Sequence, residues 1–314
     1  MRVLVTGQHG QLVRSLLETS SPTTEWVAIG RPEVDLAQPG SLANAMSAIR
    51  PDLVVNAAAY TAVDQAEAEP GLAFRINADA AGEAAAAARD LAIPIVQLST
   101  DYVFDGAGQG AYREDAPTAP LGVYGRSKLA GETQVRAANP DHFILRTAWV
   151  YSPFGDNFVK TMIRAAGQRD VLNVVDDQVG NPSSALDLVA GLVAVIDRWA
   201  SGARTGLGET YHLAGSGLTS WCGLASEVMA NCRRLGLPDA EVRPIATADW
   251  PTPAPRPRNS ALDSGKFAAD FGFPMPDWRG SVARVVDRLA AESLAGENPV
   301  AENPANDLSG AWLP

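Results

Sequence analysis

Short apolar runs alternate with segments of helical periodicity along the first half of the chain. The apolar runs that predict strands are residues 2–6, 26–29, 52–56, 94–99 and 142–146. The segments that predict helices are residues 11–18, 42–49, 77–91 and those around Tyr124. Continuous apolar strands separated by helices are typical of a parallel sheet covered on both faces. The pattern therefore predicts an α/β fold with a doubly wound parallel (Rossmann) sheet.

The alternation weakens after about residue 150, where Gly and Pro become frequent. Residues 251–258 contain a proline at every second position and predict an extended loop. We predict a Rossmann domain over residues 1–150, with a return helix over 184–199, and a smaller C-terminal α+β substrate lobe interleaved over 151–290. Residues 291–314 are rich in Ala, Glu, Asn and Pro and predict a flexible tail.

Composition narrows the class of partner. The net charge is −11 and the isoelectric point is near 4.8, which argues against nucleic acid and acidic membranes because both need clustered Lys and Arg. No stretch approaches the roughly 20 apolar residues of a membrane span, and no secretory signal is recognisable. With Cys222 and Cys232 the only cysteines, we expect reduced thiols and a cytoplasmic protein, and the scattered histidines make a zinc site unexpected.

A glycine-rich turn lies between the first predicted strand and the first predicted helix. Gly7 permits a tight turn, and Gly10 lets the backbone approach a pyrophosphate at the start of the helix. Gln11 and Leu12 follow, and Val13 takes the place of the third glycine, which usually serves packing. The context predicts a dinucleotide site, with a plain glycine turn as the alternative.

The end of the second strand bears on the choice of cofactor. NAD enzymes usually place an acid there for the ribose hydroxyls, whereas this chain has Arg31. A guanidinium suits a 2′-phosphate, so we predict NADPH in preference to NADH, with an exposed loop arginine as the alternative. Asp35 and Leu36 follow closely and are predicted to border the adenine.

Tyr124 and Lys128 are four residues apart in a predicted helix and therefore share one face. The cation favours phenolate, so we predict that it lowers the tyrosine pKa and lets the phenol exchange a proton with a carbonyl or alcohol. Thr100, at the end of the fourth strand, adds a hydroxyl. The alternative is a tyrosine and a lysine on a solvated helix face.

Several motifs together resemble the extended short-chain dehydrogenase/reductases, and among them the dTDP-4-dehydrorhamnose reductases. The resemblance extends over about residues 1–279. The motifs lie at residues 7–12, 56–64 with Glu67, 98–106, 124–132, 146–151, 176–180 and 251–257.

The resemblance implies the last step of dTDP-L-rhamnose synthesis, in which a hydride passes from the nicotinamide to C4 of dTDP-4-dehydro-L-rhamnose. Tyr124 would donate a proton to the C4 oxygen, Lys128 would bind the nicotinamide ribose, and Thr100 would hold the carbonyl. The other cofactor-binding residues that it implies are Gly7, Gly10, Gln11, Leu12, Ala57, Ala59, Tyr60 and Thr61. The substrate-binding residues that it implies are Thr100, Asp101, Trp149, Asn157, Lys160 and Arg256.

Other functions on the same fold stay open. The family sometimes uses Mg²⁺ at a dimer interface formed by glutamates, so Mg²⁺ and a homodimer are open, but no ligands are assignable here. An epimerase, a dehydratase or another nucleotide-sugar 4-ketoreductase would keep the tyrosine and the lysine. A dehydratase usually adds an acid pair, whereas only Asp101 follows Thr100. A catalytically silent regulatory or binding subunit is the alternative of a different class.

Overall fold

The strands of the central sheet follow the apolar runs of the sequence. The computed structural model describes residues 1–19 and 24–294. Its strands are β1 Arg2–Thr6, β2 Glu25–Ile29, β3 Leu53–Asn56, β4 Ile95–Thr100, β5 His142–Thr147, β6 Val150–Tyr151, β7 Val171–Val175, β8 Val179–Gly180, β9 Ser183–Ser184, β10 Glu209–His212, β11 Thr219–Ser220 and β12 Glu241–Ile245. Six of them form a parallel sheet in the order β10-β5-β4-β3-β1-β2.

Helices cover both faces of this sheet. They are α1 Gln11–Leu17, α2 Ser41–Ile49, α3 Val63–Ala68, α4 Pro70–Phe74, α5 Ala80–Asp90, α6 Val123–Ala138, α7 Phe158–Ala166, α8 Ala185–Ala200, α9 Trp221–Arg234, α10 Gly265–Phe271 and α11 Trp278–Leu294. Alternate residues of β1 point to opposite faces: Val3 and Val5 pack with α1 and α8, and Leu4 packs with α2 and α5. The predicted doubly wound α/β fold is confirmed.

The sixth strand, β10, was not predicted. It pairs with β5 in parallel, with Glu209 opposite Phe143, although the sequence prediction placed most of its residues in the substrate lobe. α10 packs against β10 and α8, so this part of the chain also joins the main sheet. The return helix is found at Ala185–Ala200, packed on α1. The main sheet thus draws on two separated parts of the chain.

The helix predicted over residues 77–91 is divided in two. A π-helical turn at Arg75–Asp79 precedes α5, and Asn77 lies in this turn with its side chain buried. The prediction of one regular helix was wrong because the Asn77 side chain bonds to the loop after β3, a long-range contact that helix propensity does not report.

The remaining elements form a second core. α7, α9 and α11 pack with paired strands β7 and β12 around Trp221, Met229 and Trp278. Helix α11 includes residues 291–294, which the sequence prediction had assigned to the tail, and the rest of that predicted tail lies outside the described residues. Cys222 and Cys232 are free thiols buried in α9. Within the described ranges, no helix is both long enough and apolar enough to cross a bilayer.

Candidate active site

Helix α6 presents one stripe of side chains to the end of strand β4. Tyr124, Lys128 and Glu132 follow each other at intervals of four residues along the helix. Lys128 Nζ donates to the Leu98 carbonyl at 2.6 Å, and Ser99 Oγ donates to Glu132 Oε1 at 2.6 Å. The Tyr124 phenol lies close enough to the Thr100 hydroxyl for that hydroxyl to lower its pKa. The stripe therefore bonds to β4 at Leu98 and Ser99 and places Tyr124 beside Thr100.

Two glycines allow α6 to lie this close. A Cβ on Gly125 would lie 2.2 Å from the Tyr102 carbonyl oxygen, and one on Gly131 would lie 2.1 Å from the Asn77 carbonyl oxygen. Both distances are far below a van der Waals contact, and both obstacles are backbone. Glycine is therefore required for the helix to bring its polar stripe against β4.

The pKa of Tyr124 differs from the sequence prediction. Burial raises the pKa of Tyr124 to about 12. The neighbouring Thr100 hydroxyl lowers this pKa, and the charge of Asp101 raises it. The prediction that Lys128 lowers the Tyr124 pKa was wrong for this structure, because burial dominates and the lysine is bonded to the Leu98 carbonyl. The phenol is protonated at neutral pH, which is the state that a proton donor needs.

Lys128 is itself buried, at 5% exposure. Burial lowers the pKa of Lys128 to about 8, and the neighbouring Glu132 carboxylate works against that decrease. The lysine is therefore mainly cationic at neutral pH and loses its proton in the mildly alkaline range.

Asp101 lies beside this pair, fully enclosed by the protein. Thr100 Oγ1 donates to Asp101 Oδ1 at 2.8 Å, and the neighbouring Ser260 hydroxyl favours the ionised carboxyl group. The buried Oδ2 atom has no hydrogen-bond partner among the described residues. Burial raises the pKa of Asp101 to about 6. Since Thr100 contacts both Tyr124 and Asp101, it is the central hydroxyl of the site.

The glycine-rich turn has the form that a dinucleotide requires. Gly7 adopts a φ of +98°, and its N–H donates to the Ile29 carbonyl at 2.6 Å. Val13 fills the place of the third glycine in the core, as the sequence predicted, and Gly10 faces space with no atom within 4 Å of its Cβ position. The turn is thus tight and leaves room beside the helix start, so the residues present fit a pyrophosphate.

Gln11 and Leu12 continue from this turn into α1. The Gln11 side chain bonds to the Val150 carbonyl at 3.4 Å and accepts from Ser152 Oγ at 3.0 Å, so it joins α1 to the start of the second half of the chain. Leu12 packs partly against the main core.

Asn77 joins the loop after β3 to the catalytic helix. Its side chain accepts from the Tyr60 N–H at 2.8 Å and donates to the Tyr60 carbonyl at 3.0 Å and to Ser127 Oγ at 2.9 Å. Ser127 in turn donates to the Tyr124 carbonyl at 2.8 Å. The residues predicted to line the cofactor beside Tyr60 are Ala57, Ala59 and Thr61, which lie in the same loop. This loop and α6 are therefore held in a fixed relation.

The loop after β2 carries the residues predicted to meet the adenosine end. Arg31 is exposed, and the described residues give it no ion pair or hydrogen bond. Asp35 Oδ1 accepts from the Ala37 N–H at 3.0 Å, and Leu36 packs against the core under α2 and α5.

Trp149 lies on the other side of the site in an unusual conformation. Its φ of +47° is left-handed, which is rare for a large non-glycine residue. The indole stacks on Trp221 with ring centroids 3.6 Å apart, and Nε1 donates to Ser260 Oγ at 3.0 Å. Ser260 also lies near enough to Asp101 to lower its pKa, a proximity that sequence reasoning missed because the three residues are far apart in the chain.

A cleft open to solvent lies between α7, α9 and β7, next to the stacked Trp149 and Trp221. Phe158, Trp221, Trp250 and Arg256 are among the residues that line it. Arg256 pairs with Asp64 of α3 at 2.7 Å.

Tyr102 lies near both Arg256 of the cleft and Tyr124. Burial raises the pKa of Tyr102, the charge of Arg256 lowers it and that of Asp64 raises it, and the Tyr102 ring meets the Tyr124 ring edge-on at 5.5 Å. Tyr102 and Asp64 lie in recognised motifs, but nothing in their spacing indicated that they meet.

The two predicted substrate residues near α7 have different surroundings. Asn157 caps the helix: it accepts from the Lys160 N–H at 3.2 Å and donates to the Ser152 carbonyl at 2.8 Å. Lys160 is buried, at 2% exposure. Their contact with a nucleotide stays a prediction.

Comparison with known proteins identifies the family. The family profile described as "RmlD substrate binding domain" matches residues 1–291. The dTDP-4-dehydrorhamnose reductase of Sinorhizobium fredii is 44% identical over 292 residues, which are 93% of this chain and 99% of that protein. The chain belongs to the dTDP-4-dehydrorhamnose reductase family. The reductase of Escherichia coli K12 is 39% identical and is matched over 92% of this chain and 98% of its own length.

Solved structures of dTDP-4-dehydrorhamnose reductases share the fold. That from Clostridium acetobutylicum has a TM-score of 0.85 at 36% identity, covering 92% of this chain and 99% of its own. That from Bacillus anthracis, in complex with NADP, has a TM-score of 0.84 at 34% identity and covers 91% and 99%. A dTDP-glucose 4,6-dehydratase from Streptomyces venezuelae, 22% identical over 96% of this chain and 100% of its own, shares the fold with a TM-score of 0.73.

Proposed function

We propose that this protein reduces the C4 ketone of dTDP-4-dehydro-L-rhamnose to dTDP-L-rhamnose with a nicotinamide cofactor. The family carries the reaction and the substrate. The observation that supports it in this chain is the neighbouring pair of hydroxyls, Tyr124 and Thr100, close to Lys128 at the carboxyl end of β4. Two hydroxyls that meet in this way can hold one ketone oxygen between them.

Each member of the site has a distinct role in the proposal. The reduced nicotinamide, when bound, supplies the hydride that C4 receives. Thr100 polarises the carbonyl, and Tyr124 donates the proton that the C4 oxygen acquires. Lys128 holds the ribose beside the nicotinamide. Asp101 accepts the Thr100 proton at 2.8 Å in this structure, and the hydroxyl would turn from Asp101 to the C4 carbonyl when the ketone binds. Gly7, Gly10, Gln11 and Leu12, with Ala57, Ala59, Tyr60 and Thr61, would hold the rest of the dinucleotide.

The substrate would occupy the cleft beyond Tyr124. Trp149 would place an apolar face against the sugar, and Arg256 would meet the diphosphate of dTDP. Asn157 and Lys160 are assigned to the nucleotide by resemblance alone.

We infer that NADPH is preferred to NADH. Support comes from Arg31, which follows β2 and is exposed without a described partner, and from the NADP complex of the relative from Bacillus anthracis. The test is kcat/KM with each nicotinamide for the wild type and Arg31→Ala. We expect the substitution to lower the NADPH value about tenfold or more and to leave the NADH value unchanged. A clear NADH advantage in the wild type would refute the preference.

The activity itself is tested by mixing the protein with dTDP-4-dehydro-L-rhamnose and NADPH or NADH. We expect the near-ultraviolet absorbance of the reduced nicotinamide to fall as dTDP-L-rhamnose forms. Another 6-deoxyhexose as product would favour a related 4-ketoreductase, and retention of the cofactor through turnover would favour an epimerase. No oxidation of either nicotinamide would favour a regulatory or binding subunit.

The use of Mg²⁺ stays a prediction. Among the described residues, no cluster of three or more His, Cys, Asp or Glu is arranged to hold a metal. Assays with added Mg²⁺ and with a chelator address the metal dependence. The homodimer and the cytoplasmic location predicted from the sequence also remain to be measured.

A further inference from the structure

Glu132 is a fully buried carboxylate that the proposed mechanism does not use. It has 0% exposure and lies one helical turn beyond Lys128 on the face of α6 that meets β4. A buried charge is costly unless it is paired and hydrogen-bonded, so its partners indicate what it does.

The partners of Glu132 come from several elements. Arg146 of β5 donates to both carboxylate oxygens, from Nε and Nη2, at 2.8 Å each. Ser99 of β4 donates at 2.6 Å, and Arg136, one turn further along α6, donates at 3.0 Å. Burial alone would raise the pKa of Glu132, but these bonds hold it below its ordinary value. The carboxylate is therefore ionised and fastens α6 to β4 and β5.

Charge around Glu132 is unbalanced. Arg146, Arg136 and Lys128 are three cations near one carboxylate. His212 of β10 also faces the cluster, but burial lowers its pKa to about 4, so it is neutral. Without Glu132, the two guanidiniums would repel the Lys128 ammonium in a buried site.

We propose that Glu132 is a positioning residue for the reductase, which acts through Lys128 and Ser99. It keeps Lys128 cationic at working pH and fixes β4 at Ser99, next to the catalytic Thr100. The kinetic part of this proposal rests on the proposed function, whereas its electrostatic part concerns the protein alone.

The sequence makes a direct measurement possible, because Lys128, Lys160 and Lys266 are the only lysines of the chain. In protein labelled with carbon-13 at lysine Cε, each lysine gives one NMR signal that shifts as it titrates. The signal lost in Lys128→Met identifies the catalytic lysine. The titration covers about pH 6 to about pH 11, the range in which a perturbed lysine loses its proton.

We expect Lys128 to titrate near pH 8 in the wild type and about one unit or more lower in Glu132→Gln. Arg136→Gln removes a cation from the same cluster and should move the titration in the opposite direction. Equal Lys128 titrations in all three proteins would overturn the electrostatic role. Circular dichroism checks that each variant folds, and should Glu132→Gln fail to fold, the sign of the Arg136→Gln shift decides the electrostatic role alone.

The kinetic readout is the alkaline limb of the pH profile of kcat/KM, which should move with the Lys128 titration in each variant. A purely structural Glu132 would lower the rate without moving the limb. Ser99→Ala retains every charge, so it should lower kcat/KM without moving the alkaline limb of the pH profile. An unaffected kcat/KM would refute the proposal that Glu132 acts through Ser99. Absence of any reductase activity would refute the proposed function, while the NMR titration would still test Glu132.

Discussion

At the scale of single residues, burial acts in opposite directions on two ionisable groups of the proposed mechanism. It raises the pKa of Tyr124 to about 12 and lowers the pKa of Lys128 to about 8. As the pH rises, the lysine therefore loses its charge long before the tyrosine loses its proton. The proposed proton donor is thus protonated at any physiological pH, and the group that titrates near that range is the lysine proposed to bind the ribose.

The first prediction concerns the phenol. Tyr124→Phe keeps the ring that meets Tyr102 but removes the proton donor, so kcat should fall by about 10²–10⁴-fold. Cofactor affinity, measured by fluorescence titration, should not change. In the wild type, tyrosine ionisation should cause no loss of activity below about pH 11, since the Tyr124 pKa is raised to about 12. A near wild-type rate in the variant would exclude Tyr124 as the donor.

The second prediction concerns the stability cost of Lys128. Its pKa falls from an ordinary 10.5 to about 8 in the folded protein, so the unfolded chain binds more protons between these values. The stability lost to this group is therefore largest below about pH 8 and recovers as the pH rises to 10.5. The shift corresponds to about 3 kcal/mol.

Lys128→Met should accordingly raise the free energy of unfolding at neutral pH, by about 1–3 kcal/mol, while it abolishes activity. The Leu98 carbonyl keeps a second donor, Gln97 Nε2 at 2.8 Å, so the substitution leaves no acceptor unsatisfied. Urea denaturation of both proteins at neutral and alkaline pH measures the difference, which should disappear above about pH 10.5. A variant that is less stable at neutral pH would contradict the argument.

At this scale, sequence patterns placed Tyr124 and Lys128 on one helix face but did not predict their protonation. Residues four apart in a helix share a face whatever the fold, so Tyr124 and Lys128 were predictable. The direction of the tyrosine pKa depends on how deeply the fold buries the phenol. Ser260 and Asp101 are distant in sequence, and no local pattern predicts that they lie close together.

At the scale of elements, the position of α6 depends on close backbone contacts. Gly131→Ala would place a methyl 2.1 Å from the Asn77 carbonyl oxygen, so the helix or the π-helical turn must move. We expect a loss of about 1–3 kcal/mol in unfolding free energy and a lower kcat, because Asn77 also bonds to Ser127.

Gly71→Ala in α4 is the matched control, since no atom lies within 4 Å of its Cβ position. It should be neutral or slightly stabilising, by up to about 1 kcal/mol. Thermal and urea unfolding measure both variants. Equal effects at the two glycines would show that intrinsic helix propensity, and not close approach, explains Gly131.

Elements with strong periodicity were predictable, and those that depend on distant partners were not. Strand β1 was predicted at its observed bounds because Val3, Leu4 and Val5 form a continuous apolar run at its centre. Strand β10 reads Glu-Thr-Tyr-His, and its short, half-polar run becomes a strand only because β5 offers a free edge. The π-helical turn before α5 likewise exists where the Asn77 side chain is needed by the loop after β3.

At the scale of the whole molecule, the cleft of the second core lies beside a contact between the earlier and later parts of the chain. The ion pair between Arg256 and Asp64 connects a loop of the later chain to α3 of the earlier chain. Arg256 also lines the cleft beside Trp250, at 10% side-chain exposure. A guanidinium in this position can bind a diphosphate either while it stays paired with Asp64 or after that ion pair opens.

The last prediction follows from this position. Arg256→Ala should raise the KM for the dTDP-sugar about tenfold or more, since a charge-assisted bond to a phosphate is lost. The KM for NADPH should change little, because the residues predicted to bind the dinucleotide follow β1, β2 and β3 or lie in α6, and do not line the cleft. Arg243→Ala is the matched control: this arginine is exposed and pairs with Glu241 outside the cleft, so both KM values should stay as they are. Steady-state kinetics with each substrate varied in turn provide the measurement. An increase confined to the KM for NADPH would assign Arg256 to the cofactor and not to the sugar nucleotide. It would also contradict the division of the molecule into a dinucleotide side and a substrate side.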